Sequence, residues 1–258
     1  MQMKTIAIMN NKGGVGKTVT AINLADILVR EYGKRVILVD CDGQMNLTRF
    51  FLPQFDPQYH FTMADLLKGD REAFWQDNLL TLEERLYLLP GSSELYALDL
   101  SAFQYGNTGD AFAAHRFAQA VAQDDGADFC IFDCPPGYTA ASVAALLAAE
   151  EVVIPMTVDG FSFAGMRDMQ AQIDNLRRAN VGVRVSGVLL TQWRNSDVVR
   201  QGEALLRSMD VPVFRQTIRR TEKVPESTFD QTPIVRYSSR SAASRDYRAW
   251  VQEFLGEM

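Results

Sequence analysis

The chain has 258 residues, of which 47% are hydrophobic and 22% charged, values typical of a globular α/β protein with a sizeable core. No apolar run approaches the roughly 18 residues that a membrane-spanning helix requires, and the first predicted strand begins so early that we expect no signal peptide. The net charge of −6 weighs against nucleic acid, and three cysteines without a Cys-x-x-Cys pair favour buried, reduced thiols over a metal or redox site.

The first element predicts a phosphate-binding loop. An apolar, β-prone run at 5–9 leads into a glycine-rich loop at 12–17, and a helical pattern follows from 17 to about 32. Glycines let the backbone approach phosphate oxygens, and a helix N-terminus directs amide groups at negative charge. Lys17 is expected to reach the β- and γ-phosphates, and the Thr18 hydroxyl to bind Mg²⁺. The residues predicted to bind a nucleotide through this loop are Gly13, Gly14, Val15, Gly16, Lys17, Thr18 and Val19. A glycine-rich turn without a chemical role is the alternative.

Two later strands are predicted to end in carboxylates. The apolar run at 35–40 ends in Asp40 and is followed by Asp42, and the run at 129–133 ends in Asp133. Ligands of open parallel sheets bind at the carboxyl ends of the strands, so all three side chains are expected near the phosphates. An apolar strand ending in Asp is the Walker B pattern, whose carboxylate binds the Mg²⁺ shell through water. For the first pair, a polar strand-to-loop turn is the alternative.

The rest of the chain alternates between strand and helix patterns. Residues 47–125 are the least informative, with a short capped helix from Thr62 and a strand at 85–90. The later elements are predicted strands at 152–155, 183–193 and 211–214, and predicted helices at 162–178, 197–209 and 242–255. This alternation predicts an α/β fold with a doubly wound, mainly parallel sheet, helices on both faces and right-handed crossovers, within a single domain spanning residues 1–258.

The stretch Lys-Gly-Gly-Val-Gly-Lys-Thr at 12–18 resembles the deviant Walker A box of the ParA/MinD family of P-loop ATPases. In that family two subunits sandwich two ATP molecules. The resemblance therefore implies that Lys12 reaches the nucleotide of the partner subunit and acts together with Lys17.

Residues 40–46 and 133–137 resemble the two switches of the same family. The first resemblance implies that Asp40 supports the Mg²⁺ shell and that Asp42 orients the attacking water. The chain departs from the family pattern at Gly43, where proline is usual, and at Met45, where glycine is usual.

The C-terminal third has the opposite charge balance to the rest. Residues 181–258 contain 12 Lys+Arg and 9 Asp+Glu, whereas residues 1–180 contain 14 and 23, which hints at an anionic partner for the basic part. The stretch 218–226 resembles a segment in which the family binds DNA. The residues to which this resemblance extends are Arg219, Arg220 and Lys223, and the first of these also stands in a segment that forms the family's adenine pocket. The alternative is a solvated face in which the bases pair with nearby acids such as Glu222 and Glu226.

The resemblance implies a cytoplasmic, nucleoid-associated partition ATPase of the short form, without an added helix-turn-helix segment. Such a protein hydrolyses ATP slowly without a partner, dimerises with ATP, binds DNA without sequence preference and segregates a plasmid, chromosome or mobile element with a ParB-like protein. The alternative is a MinD-type membrane-associated ATPase, which needs a C-terminal helix able to lie on anionic lipid. Because the stripe at 242–255 is expected to pack on the protein's own sheet, we expect no membrane partner. A metabolic or electron-transfer member would need paired cysteines at an interface.

Overall fold

The computed structural model describes residues 3–69, 75–106, 109–158 and 182–257, together with residues 171, 175, 177, 178 and 180. The described strands form a seven-stranded sheet in the order β3-β4-β2-β5-β1-β6-β7. All neighbouring strands are parallel except β3 and β4, which confirms the predicted mainly parallel sheet. The strands are β1 (Lys4–Ile8), β2 (Val36–Asp40), β3 (Leu80–Glu83), β4 (Leu86–Leu89), β5 (Phe129–Asp133), β6 (Glu151–Thr157) and β7 (Arg184–Thr191).

Helices cover both faces of this sheet. The described helices are α1 (Lys17–Arg30), α2 (Asn46–Phe51), α3 (Met63–Lys68), α4 (Trp75–Asn78), α5 (Glu94–Tyr105), α6 (Ala113–Gln123), α7 (Ala140–Ala148), α8 (Asp197–Arg207), α9 (Lys223–Phe229), α10 (Ile234–Tyr237) and α11 (Ala242–Leu255). Buried residues of α1, α10 and α11 pack on one face, and those of α3, α5, α6 and α7 pack on the other. Most of the helix predicted at 162–178 lies outside the described residues.

Several elements differ from the sequence-based expectations. The strand predicted at 211–214 is wrong, because this segment makes only an isolated bridge, between Val213 and Val188 of β7. Pro212 lacks the N–H that a regular ladder requires, although its carbonyl accepts the N–H of Val188 at 2.8 Å. Strand β3 and several helices, α6 among them, were not predicted. The residues of β3 are only partly buried, and the buried face of α6 is built largely of alanine, so neither gives a strong apolar pattern.

The apolar stripe of the C-terminal helix α11 packs inside the protein, as predicted. Tyr247, Trp250 and Val251 are buried in the same cluster as the apolar residues of α1, and the Trp250 ring makes an edge-to-face contact with Phe214. This burial removes the stripe from contact with solvent. None of the described helices combines the length and the apolar character needed to cross a membrane. The three cysteines, Cys41, Cys130 and Cys134, are free and buried, as expected.

The parallel register determines where the site lies. Asp133 at the end of β5 pairs with Ile8 at the end of β1 on one side and with Asp40 at the end of β2 on the other. The loop that follows β1 therefore lies at the same edge of the sheet as both carboxylates, as expected for the carboxyl ends of parallel strands.

Candidate nucleotide-binding site

The glycine loop leaves part of its backbone exposed, at Gly13 and Gly14. Gly14 and Gly16 have φ values of +71° and +86°, a region that side chains rarely adopt, and α1 begins directly afterwards. A Cβ added at Gly13 or Gly14 would meet no other atom within 4 Å. The exposed amide groups at the start of this long helix form a concave surface suited to an anion.

Three side chains outside the predicted motif hold the loop in place. Asn10 accepts a hydrogen bond from the Lys12 amide at 2.9 Å and donates to the Pro155 carbonyl at 2.8 Å. From the end of β7, the Thr191 hydroxyl donates to the Val15 carbonyl at 2.8 Å, and the side-chain Nε2 of Gln192 donates to the Gly14 carbonyl at 2.6 Å. No role in the loop was predicted for these residues, because only folding brings β7 beside it.

Lys17 lies over this loop. The side chain is largely buried, and its ammonium donates to the Lys12 carbonyl at 2.9 Å. Burial lowers the pKa of Lys17, and the carboxylates of Asp133 and Asp42 act in the opposite direction. A partly desolvated ammonium beside the exposed loop amides is well placed to bind a phosphate group.

Asp40 holds the start of α2. One carboxylate oxygen accepts the amide and the hydroxyl of Thr48 at 2.8 and 2.7 Å, and the other accepts the Asp42 amide at 3.1 Å. Complete burial raises the pKa of Asp40 to about 6, although these hydrogen bonds favour the charged form. Since both oxygens accept hydrogen bonds from the protein, the geometry favours a role for Asp40 in shaping the loop and in supplying negative charge.

Asp133 differs from Asp40 because its Oδ1 atom is buried without a hydrogen-bond partner. Burial raises the pKa of Asp133 well above its usual range, the neighbouring Asp40 charge adds to this rise, and the Thr18 hydroxyl opposes it. An unsatisfied buried carboxylate oxygen is unfavourable unless a cation or donor approaches it. Oxygen ligands from Asp133 and Thr18 fit Mg²⁺, which retains water and phosphate ligands. Within the described ranges, no cluster of three or more His, Cys, Asp or Glu residues could hold a metal ion alone.

The switch loop, residues 41–45, forms one side of the site. Asp42 faces the cavity and accepts the Gln44 amide at 2.9 Å. Met45 adopts a left-handed backbone, with φ of 57°, at the residue preceding α2, and its side chain is buried. Glycine, which stands at this position in the family pattern that the loop resembles, would adopt this conformation without strain. Burial of the Met45 side chain offsets part of the strain in this chain.

A cavity of about 530 Å³, within the usual range for small-molecule sites, is lined by residues of both the glycine loop and the switch loop. The segment that contains Arg219 lies beside the residues that follow β7, because Arg219 and Trp193 form an isolated bridge. The predicted site residues that line this cavity are Gly13, Gly14, Gly16, Lys17, Thr18, Val19, Asp42, Arg219 and Arg220.

The basic residues at the rim of the cavity are mostly paired with acids. Arg219 donates to the buried Asp246 through its backbone amide at 2.9 Å and through two guanidinium nitrogens at 2.8 and 2.6 Å. Lys223 pairs with Glu226 at 2.6 Å, while the Arg220 guanidinium lies 4.0 Å from a carboxylate oxygen of Glu222. The contacts proposed as the alternative for this surface are thus present, and Arg220 has the weakest ion pair of the three.

The chain is similar to known proteins over nearly its whole length. A family model described as an AAA domain matches residues 3–184. The chromosome-partitioning ATPase Soj of Thermus thermophilus is 30% identical over 261 residues, covering 100% of this chain and 97% of that relative. The septum site-determining protein MinD of Pyrococcus horikoshii, solved with Mg-ADP, is 25% identical with a TM-score of 0.76, over 97% of this chain and 95% of that one. Apo McdA of Cyanothece has the same fold, with a TM-score of 0.83 at 22% identity over 98% of this chain and 100% of that one.

Proposed function

This chain belongs to the ParA/MinD family of P-loop ATPases, and on that premise we propose that it is a partition ATPase. It binds ATP with Mg²⁺, dimerises in the ATP-bound state and binds DNA without sequence preference. A ParB-like partner protein stimulates its otherwise slow hydrolysis of ATP, and the cycle segregates or positions a DNA cargo. The observation that carries the ATPase chemistry is the unsatisfied Oδ1 of buried Asp133, beside Thr18 at the base of the glycine loop.

Each residue of the site has a distinct part in hydrolysis. The loop amides and Lys17 hold the phosphates, and the Thr18 hydroxyl and Asp133 hold Mg²⁺. When bound, Mg²⁺ neutralises negative charge on the β- and γ-phosphates. The Asp42 carboxylate, which faces the cavity, orients the attacking water. Asp40 keeps the switch loop in place through its hydrogen bonds to Thr48 and Asp42.

The outer side of the glycine loop is the proposed dimer face. Gly13 has no neighbouring atom within 4 Å of an added Cβ, so a side chain there would project away from the subunit's own atoms. Lys12 stands next to it, at the start of the loop. A second copy facing this surface brings its own Lys12 to the nucleotide, which makes the dimer dependent on ATP.

DNA binding is proposed for the surface that includes Arg219, Arg220 and Lys223. One subunit has few free cationic contacts there, because Arg219 is held by Asp246 and Lys223 by Glu226. The net charge of −6 further opposes binding by a monomer. Dimerisation doubles the number of phosphate contacts, so binding is coupled to the ATP state and the protein associates with the nucleoid in the cytoplasm.

The alternative of a MinD-type membrane ATPase receives no support from α11. The apolar stripe of this helix contacts the protein's own core, so lying on a lipid surface would require its release. We therefore propose DNA rather than a membrane as the surface on which the protein acts.

The proposal is tested by light scattering with a slowly hydrolysed ATP analogue. Wild type is expected to form a dimer. Lys12→Ala and Gly13→Val are expected to retain nucleotide affinity from Lys17 but to remain monomeric. Lys34→Ala is the matched control, because Lys34 precedes β2 at the opposite edge of the sheet. An unchanged dimer in Lys12→Ala contradicts the proposed interface.

A pelleting assay then identifies the surface on which the protein acts. ATP-loaded protein is expected to sediment with plasmid DNA of unrelated sequences and to stay in solution with anionic liposomes. The opposite result favours the membrane alternative.

A further inference from the structure

Glycine at position 43 is not required by the backbone. Gly43 is not among the residues with positive φ, so an ordinary side chain would not be strained there. A Cβ added to it, however, would lie 2.8 to 3.0 Å from three ring carbons of Tyr96, too close for non-bonded atoms. The missing side chain therefore makes room for the Tyr96 ring, which packs directly on the switch loop.

The turn at this position would accept the proline that is usual in relatives. The Met45 amide donates to the Asp42 carbonyl at 2.9 Å, which places Gly43 at the second position of a four-residue turn. Proline is favoured at that position because its fixed φ suits the turn. A larger residue at position 43 would therefore have to displace the Tyr96 ring, and Tyr96 is 47% exposed.

The contacts of Tyr96 lead to Asp42. Desolvation and the nearby Asp42 carboxylate raise the pKa of the Tyr96 hydroxyl, while a hydrogen bond with the Gln44 side chain acts in the opposite direction. The Gln44 amide in turn donates to Asp42 Oδ1 at 2.9 Å. Tyr96 therefore contacts two neighbouring residues of the turn: its ring lies against Gly43, and its hydroxyl lies near the Gln44 side chain. The turn begins at Asp42.

The helix that carries Tyr96 is itself firmly placed. Leu95 and Leu98 of α5 are buried in the core, and Asp99 accepts the amide of Ala140, the first residue of α7, at 2.8 Å. A residue on a packed helix can impose a fixed position on a loop that it contacts.

We propose that Tyr96 is a positioning residue for ATP hydrolysis: its ring braces residues 42–44 and so fixes the Asp42 carboxylate at the edge of the cavity. The inference rests on the proposed function, because it takes Asp42 as the group that orients the attacking water. Tyr96 acts through this loop, since it is not among the residues that line the cavity. A proline at position 43 would restrict the backbone of the loop from within. In this chain the Tyr96 ring, from helix α5, restricts the loop instead.

The first test separates hydrolysis from binding. Tyr96→Ala is expected to lower kcat about tenfold while KM for ATP changes less than about twofold, because misplacing a reacting group slows the chemical step more than it weakens binding. Tyr96→Phe, which keeps the ring, should retain most of the activity. Leu100→Ala is the matched control, since Leu100 is exposed one turn further along α5. A kcat of Tyr96→Ala within twofold of wild type overturns the inference.

The second test replaces the Tyr96 ring by a proline at position 43. Gly43→Pro is expected to lower kcat and Tm in the wild-type background, where it collides with the ring, and to restore both toward wild type in the Tyr96→Ala background. Equal losses in both backgrounds overturn the inference.

The two proposals fail in distinguishable ways. If Asp42→Ala hydrolyses ATP like wild type, the water assignment in the proposed function is wrong. The Tm values of the two single variants and the double variant still decide whether the ring braces the loop: additive changes refute the contact, and rescue by the double variant supports it.

Discussion

Thr48→Val is predicted to destabilise the protein although it barely changes the shape of a buried side chain. The Thr48 hydroxyl donates to the Asp40 carboxylate at 2.7 Å and accepts the Gly91 amide at 3.0 Å. Valine loses both hydrogen bonds. A hydrogen bond to a charged group contributes about 1.5–3 kcal/mol, and a buried amide without its acceptor costs about 1–3 kcal/mol. The free energy of unfolding should therefore fall by about 3–5 kcal/mol at pH 8.

This loss should depend on pH. The pKa of Asp40, about 6, lies above its usual 3.8, so protonation stabilises the folded state as the pH falls through 6. The Thr48 hydrogen bond lowers that pKa, so without the hydroxyl the pKa of Asp40 rises further. The variant should then regain more stability than wild type between pH 8 and pH 5.5, and the difference between them should shrink.

Urea unfolding of wild type, Thr48→Val and Thr48→Ser at both pH values measures this effect. Thr48→Ser keeps the hydroxyl and should lose only about 1 kcal/mol, for the missing methyl group. The reasoning is refuted if Thr48→Val lies within 1 kcal/mol of wild type at pH 8, or if its deficit is the same at pH 5.5.

Three further predictions concern the site and its rim. Asp42→Ala should trap an ATP-bound dimer by slowing hydrolysis, whereas Asp133→Asn should weaken Mg²⁺-dependent nucleotide binding. Titration of a fluorescent ATP analogue with and without Mg²⁺ distinguishes the two variants, and an affinity of Asp133→Asn equal to that of wild type with Mg²⁺ would contradict the Mg²⁺ assignment. Lys223→Glu should abolish DNA binding while the ATP-dependent dimer survives. The wild-type dimer, with roughly four to six phosphate contacts, should show a slope of log affinity against log salt of about −0.9 per contact. If Lys223→Glu binds DNA like wild type, the DNA surface lies elsewhere. Arg219→Ala should lower the free energy of unfolding by about 2 kcal/mol in urea titrations, because it leaves buried Asp246 without its counter-charge; this is less than the usual cost for a buried pair, since the Arg219 side chain is 44% exposed. An unchanged Arg219→Ala stability would show that the pair is fully offset by hydration.

The chain order of apolar runs, glycines and carboxylates was enough to predict the mainly parallel sheet and the nucleotide loop. These features are local: glycines at fixed spacing, a helix that begins at Lys17, and strands that end at Asp40 and Asp133. Their meeting at one edge follows from parallel pairing alone. The C-terminal helix was predicted with the bounds Ala242–Leu255 that the structure gives, because its apolar stripe has a clear helical period.

Only the tertiary structure decided what the polar groups of the site contact. Two aspartates that end adjacent strands look alike in the sequence, yet Asp40 is satisfied by Thr48 and Asp42 while Asp133 retains an unsatisfied oxygen. The Arg219 guanidinium pairs with Asp246 of α11. A side chain at Gly43 would meet the ring of Tyr96, which lies on α5. The spacing of residues along the chain determines backbone conformation and the ends of strands. Contacts between residues distant in sequence, such as Arg219 with Asp246 and Gly43 with Tyr96, are determined by how the helices pack on the sheet.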